Sequence, residues 1–229
     1  LKQDDVVTNF FVTTTHHWIL FFTNRGRVFR VKAYELTDTG RDARGQHVAN
    51  LLSLAPEEHV VEVQDLQDYS QAKYLVLATR NGVIKKSRLA DYDSSRSTGL
   101  VAITLRDEDD VVSAQLVNDE DDLLLVSKMG YSVRCHADDA TLRPMGRTAG
   151  GVIGIRFKTD DDYLLKMEVA TADSFVVTVT EGGWAKRTSI EEWNAKGRGT
   201  QGVRAMRLVE KRGGLAGALI CAADDEIFA

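Results

Sequence analysis

Cysteine is nearly missing from this chain, and its other scarcities narrow the function as well. Its two cysteines, Cys135 and Cys221, lie far apart and outside any Cys-x-x-Cys pair, which excludes a disulfide framework and a zinc site of ordinary spacing. A reducing compartment fits. Proline occurs twice and aromatics make up 7%, whereas 43% of residues are apolar, a globular rather than a disordered composition. No apolar run approaches the roughly 20 residues that cross a bilayer, and the opening Leu1-Lys2-Gln3-Asp4-Asp5 lacks the apolar stretch of a signal peptide. The sequence therefore predicts a soluble, cytoplasmic protein with no membrane partner. The five histidines, His16, His17, His47, His59 and His136, show no repeated metal-ligand spacing, and HExxH, GxSxG and GxxxxGK[ST] are absent. No catalytic residue, metal ligand or cofactor is expected. An excess of positive charge is also lacking, since 29 Lys+Arg face 34 Asp+Glu for a net charge of −5.

What the chain does have is a repeat of about 50 residues. Gly26, Gly82, Gly130 and Gly183 each follow an apolar run, as in Tyr74-Leu75-Val76-Leu77-Ala78 before Thr79-Arg80-Asn81-Gly82 and the return run Val83-Ile84-Lys85-Lys86. Asn-Gly suggests a type I′ hairpin turn, with positive φ at both central residues. A polar connector follows, with Ser87 to Tyr92 and Thr188 to Trp193 reading as single capped helical turns. It ends at a second glycine, Gly45, Gly99, Gly151 or Gly202, after which come further strands over 48–52, 100–105, 152–157 and 203–208. Acidic turns close three of the units, at Glu57-Glu58, Asp107 to Asp110 and Asp160 to Asp162, with another at Asp4-Asp5. They lack the alternating ligands of a calcium loop and read as solvated turns. Four short strands per unit predict propeller-like blades in a radial all-β array, a way of leaving only short sheet edges. The predicted repeats are 4–57, 58–109, 110–161 and 162–213, with 214–229 beginning a truncated fifth blade.

Two rows of cations keep step with the glycines. Arg30, Lys86, Arg134 and Arg187 each lie four residues after a hairpin glycine, with Lys32, Lys85, Arg88 and Lys186 nearby. Arg44, Arg96, Arg147 and Arg198 precede the second glycines. Single exposed cations usually mean only solubility. Rows in phase with the fold predict an evenly spaced track for a duplex phosphate backbone, and acidic groups on another face would lie beyond the Debye length of roughly 8–10 Å. Such a track reads backbone and shape, not base sequence. Trp18, Trp184 and Trp193, in or beside strands, read as blade core rather than as platforms for bases.

The run Tyr74 to Lys86, together with Arg44-Gly45-Gln46-His47-Val48-Ala49-Asn50-Leu51-Leu52 and Arg143-Pro144-Met145-Gly146-Arg147, closely resembles the C-terminal domain of bacterial DNA gyrase A, in its actinobacterial form. The likeness spans essentially the whole chain. It implies a β-pinwheel, six-bladed when intact, whose blades exchange a strand and whose basic outer rim wraps double-stranded DNA. It also implies partnership with the rest of the gyrase A polypeptide and with gyrase B in an A2B2 complex, which uses ATP and Mg2+ elsewhere to introduce negative supercoils. The family's hallmark box, Gln-Arg-Arg-Gly-Gly-Lys-Gly, would fall just before Leu1. Within the chain only Lys196-Gly197-Arg198-Gly199-Thr200-Gln201-Gly202 is box-like, with Thr200-Gln201 in place of Gly-Lys. The alternatives are the corresponding topoisomerase IV domain, a shorter or more broken array, and a propeller-type protein-interaction scaffold. A scaffold predicts an apolar or acidic end face and no cationic rim.

Overall fold

Each of the four units folds as a hairpin and a return strand, and in the second, third and fourth a detached short strand lies between them. The computed structural model describes residues 10–40, 42–96, 98–106 and 108–227, and no α-helix occurs among them. The turn at Asp4-Asp5 and residue Asp107 lie outside the described residues. The first unit contributes β1 (Trp18–Thr23), β2 (Arg27–Lys32) and β3 (Val60–Leu66). The second contributes β4 (Tyr74–Thr79), β5 (Val83–Arg88), β6 (Leu100–Val101) and β7 (Val111–Val117). The third has β8 (Asp122–Ser127), β9 (Tyr131–His136), β10 (Val152–Ile153) and β11 (Leu164–Ala170). The fourth has β12 (Phe175–Thr180), β13 (Ala185–Ser189), β14 (Val203–Arg204) and β15 (Leu215–Cys221).

These strands form antiparallel sheets in the orders β3-β1-β2-β6, β10-β5-β4-β7, β11-β8-β9-β14 and β13-β12-β15. Each short strand therefore leaves its own unit and completes the preceding blade. Val101 pairs with Arg27, Val152 with Ile84, and Val203 with Ser132. The return strands β3, β7, β11 and β15 pack against one another in succession and line the axis. The donated strands consequently form the outer edges. The expected β-pinwheel with exchanged strands is the fold observed.

Packing between blades explains the apolar runs. Leu75 and Leu77 of β4 join the core shared with the first blade, through Leu20, Phe22 and Leu66. Tyr74, Val76 and Ala78 of the same strand face Leu123, Leu125 and Val133 of the third blade. A strand buried on both faces reads as a continuous hydrophobic stretch rather than as an alternation. Each fully buried leucine contributes about 1.5–3 kcal/mol of transfer free energy.

Several expectations change. The hairpin turns are not type I′, because within them only the glycine has positive φ, +79° at Gly82. Gly82 N–H donates to Thr79 O at 2.9 Å, the bond of a type I turn followed by a left-handed glycine. The Ser or Thr three residues before each glycine adds a second bond, from the next amide to its hydroxyl, at 3.2 Å for Thr23, 3.3 Å for Thr79, 3.2 Å for Ser127 and 3.1 Å for Thr180. Residues 48–52, expected as a strand, carry a 3₁₀ turn at Val48–Asn50. Among the described residues there is no preceding hairpin for this segment to complete. The expected boundaries at 57/58, 109/110, 161/162 and 213/214 separate each return strand from its own hairpin. Leu215–Cys221, assigned to a truncated fifth blade, is β15 and pairs with β12 in the fourth.

Candidate functional site

The first cationic row acts between blades. Arg30 stacks 4.1 Å above the Trp18 ring and donates to Asp93 at 2.6 Å and Tyr69 Oη at 3.2 Å. Lys86 lies 4.2 Å from the Tyr74 ring, is 0% exposed, and donates to Ala137 O at 2.6 Å and Asp139 at 2.7 Å. Arg134 meets Asp122 at 2.8 Å and donates to Ile190 O at 3.2 Å and Trp193 O at 3.1 Å. Trp18, Tyr74 and Asp122 each open the hairpin of the cation's own blade, whereas Asp93, Ala137, Asp139, Ile190 and Trp193 belong to connectors that follow a hairpin. The periodic cation is thus a rivet at the blade edge. Arg187, in the blade that receives no donated strand among the described residues, keeps the Phe175 ring at 4.7 Å and Ala223 O at 3.4 Å, and stays exposed.

Lys85 is also fully buried, donating to the carbonyls of Ala102 and Arg147 and to Tyr92 Oη at 3.2 Å. Burial, aided by the charge of Arg147 and opposed by Asp91, pulls its amine down to about 7. Lys85 and Lys86 therefore fail as phosphate contacts: their donors are spent on interior acceptors, and leaving them unmade would cost the desolvation of those groups. Lys186 repeats the Lys85 contact with Ala205 O at 3.3 Å but remains exposed. Lys32 is half-buried, donating to His16 O at 2.7 Å beneath the Trp18 ring.

The second row links successive donated strands. Arg147 donates to Val101 O of β6, and Arg198 to Ile153 O of β10 at 3.1 Å and to Thr141 O at 2.9 Å. Both are half-buried, whereas Arg44, Arg88 and Arg96 are exposed. The box-like loop crosses from the fourth unit toward blades two and three, with Lys196 N–H bonded to Arg134 O at 2.9 Å and Gly199 N–H to Gly154 O at 2.6 Å. Gly202 lies against Ser132 of β9 with φ +67°, while Lys196 and Gly197 face solvent.

The acidic turns are not merely solvated. Glu58, Asp109 and Asp162 are buried and hold the hairpin tip of their own blade, through Thr23 Oγ1 at 2.7 Å, Asn81 N at 2.9 Å and Met129 N at 2.9 Å respectively. Burial pushes the Glu58 carboxyl up, but bonds from Arg27, Thr23 and Ala55 prevail and hold it at about 2. At the axis, Lys166 pairs with Glu62 at 2.7 Å and lies 3.7 Å from Glu168. Among the described residues no cluster of three or more His, Cys, Asp or Glu side chains could hold a metal.

Several of the exposed cations flank the donated strands, while others, such as Arg25 and Arg80 at hairpin tips and Lys73 before β4, do not. Arg96 and Arg106 bracket β6, while Arg156 and Lys158 follow β10. Arg204 lies in β14 and Arg207 just beyond it. Arg106, Arg156, Lys158, Arg204 and Arg207 were missed, although Arg106 and Lys158 follow a second glycine by seven residues and Arg156 and Arg207 by five; the signal was charge at the end of each third strand. Arg44, Arg88, Lys186, Arg187 and Lys196 are exposed as well.

A family model described as "DNA gyrase C-terminal domain, beta-propeller" matches residues 17–64, 73–118, 121–171 and 174–222, one span per structural unit. The chain belongs to this DNA gyrase C-terminal domain family. It is 55% identical to the DNA gyrase A polypeptide of Streptomyces coelicolor over 234 residues, and 55% identical to that of Mycolicibacterium smegmatis over 229. Each match covers 100% of the chain and 27% of the relative, so the chain spans about a quarter of these proteins' length. Among solved structures, the C-terminal domain of a DNA topoisomerase IV superposes with a TM-score of 0.80 at 28% identity, covering 90% of this chain and 64% of that one. A DNA gyrase A C-terminal domain gives 0.77 at 24%, covering 93% and 68%, a likeness of fold. Among the described residues no helix is long and apolar enough to cross a membrane.

Proposed function

We propose that this pinwheel binds and bends duplex DNA along its outer edge as a non-catalytic module of a DNA gyrase. In that role it works with the remainder of gyrase A and with gyrase B in a cytoplasmic A2B2 complex, whose ATP- and Mg2+-dependent strand passage produces negative supercoils. The observation that carries this reading is the placement of Arg96, Arg106, Arg156, Lys158, Arg204 and Arg207 beside the strands that form the blades' outer edges. Duplex DNA presents one charge per about 1.7 Å of axis, so a curved row of cations engages it without reading bases. The acidic groups that set the net charge are partly consumed by hairpin tips and by Arg30, Lys86 and Arg134.

The test is the salt dependence of binding to duplexes of unrelated sequence. Affinity should fall with a log–log slope of about −0.9 per neutralised phosphate. Arg106→Gln with Arg156→Gln and Lys158→Gln should flatten the slope by roughly two to three while weakening all sequences alike. A salt-independent affinity, or no loss in the triple variant, would refute the rim. The topoisomerase IV reading draws on the superposition at TM-score 0.80. Joined to its parent enzyme, the module would then support relaxation or decatenation without introducing negative supercoils, which a plasmid assay distinguishes.

A further inference from the structure

Two aromatic side chains stand on the outside of this fold at the same place in neighbouring blades. Tyr131 and Trp184 each follow a hairpin glycine by one residue, and the same position holds Arg27 in the first blade and Val83, 4% exposed, in the second. Trp184, expected in the core, is 54% exposed, whereas Trp193 is 4% exposed and donates to Ser132 Oγ at 2.7 Å. Tyr131 is partly exposed although its blade is complete and β14 lies alongside it, with Arg204 in register. The two tips are joined by the Lys128–Glu181 ion pair and by the Leu215 amide bond to Lys128 O at 2.9 Å.

Cations surround both rings. Lys158 Nζ lies 4.2 Å and Arg204 Cζ 5.7 Å from the Tyr131 ring centre, and the Arg212 guanidinium lies 4.2 Å from the Trp184 ring centre. Arg204, with help from Lys158, lowers the pKa of the Tyr131 phenol. Arg207, between Met206 and Leu208 beside Gly130, adds a further exposed charge. Exposed rings among cations suit a polyanion that also offers flat aromatic faces. A continuous duplex hides its base faces by stacking, but a single strand exposes them, and bases stack readily on aromatic side chains.

We propose that the joined tips of the third and fourth blades bind unpaired bases of single-stranded DNA, stacking them on Tyr131 and Trp184 while Lys158, Arg204, Arg207 and Arg212 hold the flanking phosphates. This rests on the DNA-binding reading and adds a second mode to it. The site would hold a locally melted or end-frayed segment beside the duplex path.

Tryptophan fluorescence tests this in titrations with a short oligothymidylate and, separately, with a covalently closed duplex that has no free ends. The oligothymidylate should quench Trp184 and bind about tenfold more weakly to Tyr131→Ala and to Trp184→Ala, the latter followed by anisotropy of a labelled strand. Tyr131→Phe should restore binding, and closed-duplex affinity should stay unchanged in all three. Circular dichroism should show the same fold throughout. If the closed duplex binds while the oligothymidylate does not, or binds all variants equally, the single-strand site is wrong and the duplex rim stands. If neither binds, both readings fall. Self-association in sedimentation that requires Trp184, without oligothymidylate binding, would assign the patch to a second copy and overturn the proposal.

Discussion

Blades two and four place the same residue types at the same register and treat them oppositely. In blade two, Lys85 and Lys86 are 0% exposed, and β10 covers the hairpin edge. In blade four, Lys186 and Arg187 are exposed, and no donated strand reaches β13 among the described residues. Whether a periodic cation is an internal tie or a surface charge is thus decided by the neighbouring unit. A phase-locked row of charge need not be a binding track; here much of it secures the blades.

The largest contrast should come from the hairpin glycines. A Cβ at Gly82 would lie 2.7 Å from Ile155 O in the segment crossing from the third unit, whereas one at Gly183 would meet nothing within 4 Å. Both positions have positive φ, so each alanine adds backbone strain of about 1–2 kcal/mol. Gly82→Ala should lose roughly 3 kcal/mol or more in urea unfolding and Gly183→Ala only the strain. Equal losses would mean that the crossing segment yields freely.

Next in size is the comparison of rivets. Lys86→Ala leaves the Ala137 carbonyl and Asp139 without their buried donor and should cost roughly 2–3 kcal/mol, against about 0.5 kcal/mol or less for Arg187→Ala. The unfolding midpoints of the two variants measure this directly. A larger loss at Arg187 would reverse the interpretation of the row.

The last contrast is a slope in pH rather than a loss at one pH. The Lys85 amine sits at about 7 in the folded chain and near 10.4 when unfolded, so over that interval the unfolded state binds the extra proton. Stability should therefore rise as pH increases from about 7 to about 10, and be insensitive to this group below 7, where both states carry the proton. Lys85→Met should remove that rise, and Lys186→Met should not. A rise of the same size in Lys85→Met would assign it to other groups.

Much of the fold was legible in residues that serve the backbone. Gly26, Gly82, Gly130 and Gly183 marked the hairpins because only glycine accepts their φ without strain, and both-face burial made the β4 run continuous. The site was less legible. Lys86 and Arg187 are both cations four residues after a hairpin glycine, and Trp184 and Trp193 are the same residue, yet one of each pair is buried. The separating signal lay in partners: Trp18, Tyr74, Asp122 and Phe175 recur eight residues before the hairpin glycines, diagonal across the hairpin from the cations they receive.

By itself the sequence determined the repeat, its period and its β character, since local turn chemistry and apolar runs act within a few residues. Only the tertiary structure decided where a blade begins, because a period has no phase until hydrogen bonds join β3 to β1 and send β6 to the blade before. It also decided which charges face solvent. Burial depends on strands supplied from about 50 residues away, and no local pattern carries that information.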